Sequence, residues 1–334
     1  MRVLVTGGAG YIGSHAARQI RERGHQICVY DNLSTGHTSL VEGFDCVVGD
    51  IAEKEKLLPI LRGTDAVMHF AASSIVAESV RNPQEYMENN VRNGLTLLNA
   101  VREAGTPFFI FSSSCSVYGV PSRIPIPETE SRNPTHPYGA SKLLLEHALE
   151  AYHAAYGLRF VSLRYFNAAG ADESGEIGEL HRPETHLVPL ALEAAAGTRE
   201  CLEIYGPDHS TPDGTCIRDY VHVTDLAEAH VLALDYLANG GESTALNLGS
   251  EQGHSVLEVI AAVEEVTGQR VPSRISPRRP HDPPVLVASA QHSRRILGWK
   301  ATRPLSVIVS TAWNWMRSSR RQQLLQTGQA AVQR

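Results

Sequence analysis

The sequence predicts an α/β protein that consists of a doubly wound parallel sheet followed by a smaller α/β lobe. Along the first half of the chain, short runs rich in Val, Ile, Leu and Phe alternate with segments of helical apolar periodicity. Repeated strand–helix units of this kind build parallel sheets with helices on both faces. A glycine-rich loop joins the first strand to the first helix, which is typical of domains that bind a dinucleotide.

The elements of this first domain are predicted in order over residues 1–170. Strands are expected over residues 2–6, 26–30, 44–48, 66–70, 108–112 and 159–164, and helices over 14–23, 53–61, 83–104 and 138–157.

A second lobe is predicted over residues 171–316, with some of this chain crossing back to the first domain. Residues 171–184 are rich in Gly, Glu and Asp without an apolar period, so they are expected to form a loop. Shorter pieces follow over residues 187–196, 202–205, 217–223, 225–237, 246–248 and 256–267. Residues 317–334 are polar and are expected to be a disordered tail.

Bulk composition excludes several classes of function. The 334 residues suggest about two domains, and 42% hydrophobic with 20% charged residues suffices for a large core. A net charge of −6 gives no general affinity for nucleic acid or anionic membranes. The five cysteines are scattered without a C-x-x-C pair, so reduced thiols are expected and no metal site. We expect a cytoplasmic protein, since neither a signal peptide nor an apolar run of ~20 residues is present.

The glycine loop carries the first prediction of function. Gly7, Gly10 and Gly13 follow a strand and open a helix, where backbone amides can approach a pyrophosphate. Asp31 ends the next strand, at the position that binds an adenosine ribose, and its carboxylate would repel a 2′-phosphate. This pattern favours NAD over NADP. The alternative is a tight loop that only packs a helix on a strand.

Tyr138 and Lys142 form the candidate catalytic pair. Residues four apart lie on one face of a helix. A lysine charge at ~4 Å, in an effective dielectric of ~20, supplies roughly the 4 kcal/mol needed to bring a phenol pKa near neutrality. The alternative is a surface tyrosine and lysine that share helical spacing by chance.

Other polar or small groups stand at predicted strand ends, where ligands of such sheets bind. They are Asp50-Ile51, Phe70-Ala71-Ala72 and Ser112-Ser113-Ser114. Any of them could instead cap a helix or form a turn, but the serine cluster flanks the same sheet edge as the Tyr138 helix.

Together these motifs resemble one known family. Thr6–Gly13, Ser112–Gly119, Tyr138-x-x-x-Lys142, Leu163–Gly170 and Asp213–Val223 resemble the extended short-chain dehydrogenase/reductases and, within them, the UDP-glucose 4-epimerases. The resemblance runs from residue 1 to about residue 316. It implies a Rossmann-type sheet, NAD as cofactor, a UDP-sugar as substrate and a homodimer paired through helices 83–104 and 138–157.

The resemblance also implies roles for individual residues. Tyr138 would be the base, Lys142 would lower its pKa and bind the nicotinamide ribose, and Ser114 would hydrogen-bond the sugar 4-hydroxyl. NAD contacts would come from Gly7, Gly10, Tyr11, Ile12, Gly13, Asp31, Asn32, Asp50, Ile51, Phe70, Ala71, Ala72, Asn89, Tyr138, Lys142 and Phe166. UDP-sugar contacts would come from Ser114, Ser116, Tyr138, Asn167, Leu187, Tyr205, Arg218, Arg279, Asp282 and Leu286. Arg218 and Arg279 could otherwise be surface ion-pair partners.

The implied reaction is a 4-epimerisation by transient oxidation at C4, rotation of the 4-keto sugar and return of the hydride. UDP-N-acetylhexosamines and the UDP-xylose/UDP-arabinose pair remain alternative substrates. A 4,6-dehydratase is disfavoured because Ser114-Cys115-Ser116 lacks the acidic pair of those enzymes. A non-catalytic NAD-sensing protein is the alternative from another class. Three positions depart from residues found in some family members. Ser74 puts one cofactor contact in doubt, His186 one substrate contact, and Leu286 the sugar preference.

Overall fold

A computed structural model describes residues 1–279 and 282–332, with side chains described through residue 325. Within these residues the strands are β1 (Arg2–Thr6), β2 (Gln26–Asp31), β3 (Asp45–Val48), β4 (Ala66–His69), β5 (Phe108–Ser114), β6 (Arg159–Tyr165), β7 (Asn167–Ala169), β8 (Leu202–Tyr205), β9 (Ile217–His222), β10 (Thr244–Leu248), β11 (Gly253–Ser255), β12 (Ser273–Ser276) and β13 (Val285–Leu286).

The helices of the same part of the chain flank these strands. They are α1 (Tyr11–Glu22), α2 (Lys54–Leu61), α3 (Val76–Arg81), α4 (Pro83–Tyr86), α5 (Asn93–Ala104), α6 (Pro137–Tyr156), α7 (Leu187–Ala195), α8 (Val223–Ala238), α9 (Val256–Thr267), α10 (Gln291–Leu297), α11 (Leu305–Arg317) and α12 (Ser319–Val332).

The predicted doubly wound sheet is confirmed. Seven parallel strands pair in the order β10-β6-β5-β4-β1-β2-β3. The order reverses between β1 and β4, and ligands of open parallel sheets bind outside the carboxyl ends of the strands at such a reversal. β10 comes from the second half of the chain but belongs to this sheet. It pairs with β6, the last strand that the first half contributes.

Both faces of the sheet are covered by helices, which explains the apolar strands. Val3 and Val5 pack with α1 and α8, while Leu4, between them, packs with α2 and α5. Successive strand residues point to opposite faces, so a strand buried on both faces has no polar alternation.

The second lobe is built around β9. This strand pairs with β7, β11 and β13, and β8 pairs separately with β12. Helices α7, α9 and α11 supply its apolar core. The arrangement carries residues from three distant parts of the sequence to the carboxyl edge of the large sheet.

Several sequence predictions of elements need correction. The helix expected over residues 83–104 is α4, a π-helical turn (Met87–Arg92) and α5 in succession. The expected loop over residues 171–184 contains no strand or helix, but Leu180 in it is buried. α1 begins inside the glycine motif at Tyr11, three residues earlier than predicted.

The tail expected to be disordered forms helix α12 instead, and residues 333 and 334 lie outside the described residues. The Ser318 hydroxyl accepts a hydrogen bond from the backbone amide of Arg321 at 3.0 Å, which caps the helix. Leu324 is buried in a cluster with Leu180 and Trp315, and Arg320 pairs with Glu42. Because these contacts come from distant residues, the polar local sequence gave little sign of them. Among the described helices, none combines the length and apolar character needed to cross a membrane.

Candidate active site

The glycine loop after β1 has a backbone that only glycine allows. Gly7 has φ +72°, and a Cβ on it would lie 2.4 Å from the backbone nitrogen of Ala71. A Cβ on Gly13 would lie 2.3 Å from the carbonyl oxygen of Gly7. The loop is therefore packed directly against the end of β4, and the first amides of α1 face the strand-order reversal, where a helix N-terminus favours a phosphate.

The acidic residue at the end of β2 is held beside this loop. Asp31 accepts hydrogen bonds from the backbone amides of Ala9 at 2.9 Å and Leu33 at 2.8 Å. Next to it, the side-chain amide of Asn32 donates to Asp50 at 2.8 Å. The structure thus brings together residues from the ends of two neighbouring strands, β2 and β3.

The π-helical turn contributes a residue that sequence reasoning missed. Asn90 is 3% exposed, and its side chain accepts from the Ser73 amide at 2.8 Å and donates to the Ser73 carbonyl at 2.9 Å. It also donates to the hydroxyl of Ser141 at 3.0 Å. Asn90 therefore ties the loop after β4 to the helix that carries Tyr138, while the neighbouring Asn89 donates to the Ser73 hydroxyl. A π-helical turn often marks a functional site.

The serine cluster ends β5 as predicted, and each serine has a different partner. Ser112 hydrogen-bonds Tyr165, and Ser113 donates to Glu146 at 2.5 Å. The Ser114 hydroxyl accepts from the Ser116 amide at 3.2 Å, which opens a 3₁₀ turn over residues 115–118. Ser114 also lies close enough to the phenol of Tyr138 to lower its pKa.

Helix α6 approaches this turn closely because Gly139 has no side chain. A Cβ at that position would lie 2.5 Å from the carbonyl oxygen of Ser116. The helix begins with Pro137, and His136 caps it by accepting from the Gly139 amide at 3.2 Å. This close approach is what places Tyr138 against Ser114.

Lys142 lies one turn further along α6, below Tyr138. It is 4% exposed, and its Nζ donates to the Ser112 carbonyl at 2.8 Å. Nζ stands 5.8 Å from the centre of the Tyr138 ring. Lys142 is therefore buried and Tyr138 is half-buried, so the pair predicted from spacing is not two surface side chains.

The charges of this pair differ from the sequence expectation. Burial raises the pKa of Tyr138 to about 12, although the hydrogen bond from Ser114 opposes that rise. Burial lowers the pKa of Lys142 to about 7, against the attraction of Glu146. The expectation that lysine alone brings the phenol pKa near neutrality is wrong for these protein groups, because it ignored desolvation.

The second lobe gathers several of the residues predicted for a UDP-sugar at strand β9. In the β9 register, Asn167 of β7 stands opposite Tyr220, and Leu286 of β13 stands opposite Arg218. Leu286 also packs with Cys115 and Phe166, next to the Ser114 turn. Three candidate substrate residues thus meet at one strand.

The two candidate arginines each have a protein partner. Arg218 forms an ion pair with Asp282, and the guanidinium of Arg279 lies 4.0 Å from the centre of the Tyr205 ring. The ion pair is compatible with a ligand role, since a guanidinium has five N–H donors. Leu187 begins α7 and packs on the core of the second lobe.

Comparison with known proteins identifies the family. Residues 3–249 match the model of the NAD dependent epimerase/dehydratase family. The chain belongs to this family.

The relatives of this NAD-dependent epimerase/dehydratase extend the match to almost the whole chain. UDP-glucose 4-epimerase of Lacticaseibacillus casei is 49% identical over 319 residues, 94% of this chain and 96% of its own. The crystal structure of UDP-glucose 4-epimerase from Brucella ovis in complex with NAD is 51% identical, with TM-score 0.91 over 93% of this chain and 97% of its own. A UDP-glucose 4-epimerase from Stenotrophomonas maltophila, with bound NAD and formylated UDP-arabinopyranose, is 43% identical, with TM-score 0.92 over 95% and 98%.

The glycine loop and Asp31 of this epimerase/dehydratase are suited to binding NAD, the cofactor of the family. The tight contacts of Gly7 and Gly13 leave backbone amides at the start of α1 for a pyrophosphate. Asp31, buried and fixed by two amides, keeps lone pairs on both oxygens for ribose hydroxyls. Lys142 lies at the carboxyl end of β5, which is separated from β1 by β4 in the sheet.

A buried ion pair beneath α6 supports the site and was also missed from the sequence. Both Nε and Nη2 of Arg164 donate to Glu146, at 2.9 and 2.6 Å, and the two residues are 3% and 1% exposed. Arg164 also donates to the phenol of Tyr118 at 2.9 Å. Glu146 is one turn beyond Lys142, so its bonds to Ser113 and Arg164 fix helix α6 to β5 and β6.

Proposed function

We propose that the protein is an NAD-dependent UDP-hexose 4-epimerase that interconverts UDP-glucose and UDP-galactose. The observation that carries the proposal is the joint placement of Ser114, Tyr138 and Lys142 at the carboxyl edge of the sheet, beside the glycine loop and opposite Arg218. The near full-length similarity to proteins named UDP-glucose 4-epimerase supports it.

Tyr138 is the proton acceptor and donor for the 4-hydroxyl of the sugar. Its phenol is half-buried beside Ser114, the other hydroxyl proposed to contact the sugar. The Ser114 hydroxyl accepts from the Ser116 amide and keeps one further acceptor lone pair, with which it orients the sugar hydroxyl. NAD, when bound, supplies a hydride acceptor and one positive charge on its nicotinamide.

Lys142 and Asn90 position the acid–base group. The Lys142 ammonium is anchored on the Ser112 carbonyl, and this bond fixes the turn of α6 that follows Tyr138. Asn90 holds the adjacent turn through Ser141. Together they limit the movement of Tyr138 while the sugar turns over.

The reaction requires a firm grip on UDP and a loose grip on the sugar. Arg218 and Arg279 lie in the second lobe, where planar guanidinium groups suit a diphosphate. Near Ser114 the neighbouring side chains are apolar, namely Cys115, Phe166 and Leu286. An apolar pocket holds a hexose weakly and permits its 4-keto form to rotate about the phosphate linkage.

The direct test is conversion of UDP-galactose to UDP-glucose by the purified protein without added cofactor. The Tyr138→Phe variant should lose a factor of ~10²–10⁴ in kcat, the usual contribution of general acid–base catalysis. Tyr152→Phe is the matched control, because Tyr152 lies on the same helix and its hydroxyl donates to Asn99 on the surface. Full turnover by Tyr138→Phe would refute the mechanism.

The same assay separates the alternatives. A 4-keto-6-deoxy product would indicate a dehydratase, and tight NAD binding without turnover of any UDP-sugar would indicate an NAD-sensing protein. Ser114-Cys115-Ser116 contains no carboxylate, which disfavours the dehydratase.

We further propose that UDP-N-acetylhexosamines are accepted alongside the hexoses. Leu286 packs beside the Ser114 turn, and it is smaller than tyrosine and carries no hydroxyl. A pentose pair is the rival, since a related structure contains a formylated UDP-arabinopyranose. An apolar pocket discriminates one small group by ~1–3 kcal/mol, so Leu286→Tyr should lower the N-acetylhexosamine to hexose ratio of kcat/KM by ~10-fold or more. An unchanged ratio would eliminate Leu286 as the determinant.

We propose that the protein is a cytoplasmic homodimer. All five cysteines are free, in keeping with a reducing compartment. Leu144 on α6 is 46% exposed, on one of the two helices expected to pair across a two-fold axis. Leu144→Arg should give a monomer in sedimentation, whereas Leu257→Arg, at a site 41% exposed on α9, should not. A monomeric parent protein at micromolar concentration would refute the dimer.

A further inference from the structure

Four potential metal ligands converge in the segment that joins the two lobes. They are Glu179, His181, Glu184 and His186, each of which offers one ligand atom, and these atoms all lie within 4.8 Å of one another. Glu179 Oε1 lies 2.7 Å from His181 Nδ1 and 2.5 Å from His186 Nδ1, and Glu184 Oε1 lies 3.2 Å from His186 Nδ1. The proposed function uses none of the four side chains.

The distances suit a small tetrahedral ion. Zinc binds imidazole nitrogen and carboxylate oxygen at ~2.0–2.2 Å, which places neighbouring tetrahedral ligands ~3.3–3.6 Å apart. Closing the cluster around an ion therefore needs shifts below about 1 Å in side chains that already converge. Two histidines and two carboxylates also satisfy the preference of first-row divalent ions for nitrogen and oxygen ligands.

The cluster is built into a fixed part of the fold. The side chain of Glu179 is 6% exposed and that of Glu184 is 10% exposed, although carboxylates are seldom so buried without compensation. The Glu179 carbonyl accepts from the indole of Trp315 at 2.9 Å. The ring of His181 lies edge-on to that of Tyr11, with centroids 6.2 Å apart.

We propose that Glu179, His181, Glu184 and His186 form a structural zinc site that fastens the inter-lobe segment between the cofactor loop and the second lobe. Tyr11 belongs to the cofactor loop, and Leu187, a candidate substrate contact, follows His186 directly. Four protein ligands leave no open position on a tetrahedral ion, which is the pattern of structural and not catalytic zinc. The site is independent of the epimerase reaction.

A metal-free alternative explains the same contacts. Imidazolium groups of His181 and His186 could pair with the two carboxylates, and Arg321 of α12 also interacts with Glu184. An ion-pair network and a zinc site differ in one measurable respect, which is whether each chain retains one zinc ion.

The experiment measures zinc bound to the full-length chain, expressed without a histidine tag and passed through gel filtration after incubation with Zn²⁺. We expect about one zinc per chain and a rise in Tm of ~3–5 °C when free zinc exceeds its Kd ~100-fold. His181→Ala and the isosteric Glu184→Gln should each weaken zinc affinity by at least ~10-fold. His292→Ala, which removes a partly exposed histidine on α10, should bind as the parent does.

Cobalt substitution provides a second readout that does not depend on the variants folding. A tetrahedral Co²⁺ site in the parent protein should show intense visible d–d absorption, and one equivalent of Zn²⁺ should abolish it. If the parent chain retains no zinc and shows no such absorption, the proposal is wrong and the cluster is an ion-pair network. Retention of zinc by the folded His181→Ala variant at parental affinity would also overturn it.

Discussion

Replacing Glu146 by Gln should destabilise the protein far more than a surface substitution on the same helix. Glu146 receives two parallel bonds from Arg164, one from Ser113 and one from the less buried Arg132 at 3.3 Å. Glu146 and Arg164 are almost fully buried. The glutamine keeps the shape but removes the charge, so the Arg164 guanidinium remains buried without its counter-ion. Breaking one partner of a buried ion pair typically costs ~3–5 kcal/mol.

The size of the expected thermal shift follows from chain length. For 334 residues, an unfolding entropy of ~2 cal/mol/K per residue gives ~0.7 kcal/mol per degree near Tm. A loss of ~3–5 kcal/mol therefore lowers Tm by roughly 4–7 °C. Differential scanning calorimetry of the cofactor-loaded protein measures it directly.

Glu150→Gln is the matched control. Glu150 lies one turn further along α6, its side chain is 48% exposed, and it pairs with Arg132 at 2.8 Å. Arg132 also contacts Glu146 at 3.3 Å, so the two variants share this contact and differ in the buried Arg164 pair. Exposed pairs contribute ~0–1 kcal/mol, so Tm should change by about 1 °C or less. Equal shifts in the two variants would refute the argument, and the apolar double variant Glu146→Leu/Arg164→Met should recover much of the lost stability.

Other predictions follow from burial and close packing. The pKa values of His69, His222 and His230 are lowered by burial to about 3, 4 and 4, so these groups stabilise the fold fully above pH 6.5, and stability falls as the unfolded chain gains protons below it. At pH 5.5 the three together cost ~4 kcal/mol, or ~6 °C in Tm; an equal Tm at pH 7.5 and 5.5 would contradict this. Gly139→Ala would bring a Cβ within 2.5 Å of the Ser116 carbonyl, so kcat should fall at least ~10-fold while NAD still binds; unchanged kcat would show that the helix can shift freely.

Local sequence patterns predicted the strands and helices of the first domain and its glycine loop. The alternation of strands and helices follows from periodicity, and the glycine loop from its position between β1 and α1. β10 illustrates the limit, because its pairing with β6 depends on a partner about 80 residues away. The burial of Leu324 against Leu180 and Trp315 likewise depends on residues far away in the sequence.

The candidate site shows the same division at the level of side chains. Spacing placed Tyr138 and Lys142 on one face of a helix, and strand order placed Ser114 beside them. The support from Glu146 and Arg164 was not predicted, because a buried ion pair reads in sequence as two surface charges. The direction of the Tyr138 pKa was wrong for a related reason, since desolvation depends on everything packed around the phenol.

These opposed pKa shifts decide when the acid–base pair can work. With the pKa of Tyr138 at about 12 and that of Lys142 at about 7, moving the phenol proton to the lysine costs roughly five pH units, or ~7 kcal/mol. Nζ lies 5.8 Å from the centre of the Tyr138 ring, and attraction between unit charges at about that separation returns only ~3 kcal/mol at an effective dielectric of ~20. The phenolate therefore needs a further positive charge, such as the one NAD carries. We expect the pKa of Tyr138, measured from the phenolate absorbance difference between the parent and Tyr138→Phe, to be lower in the NAD-saturated protein than in the NAD-stripped protein. An identical pKa in both forms would mean that the protein's own groups set the charge of Tyr138.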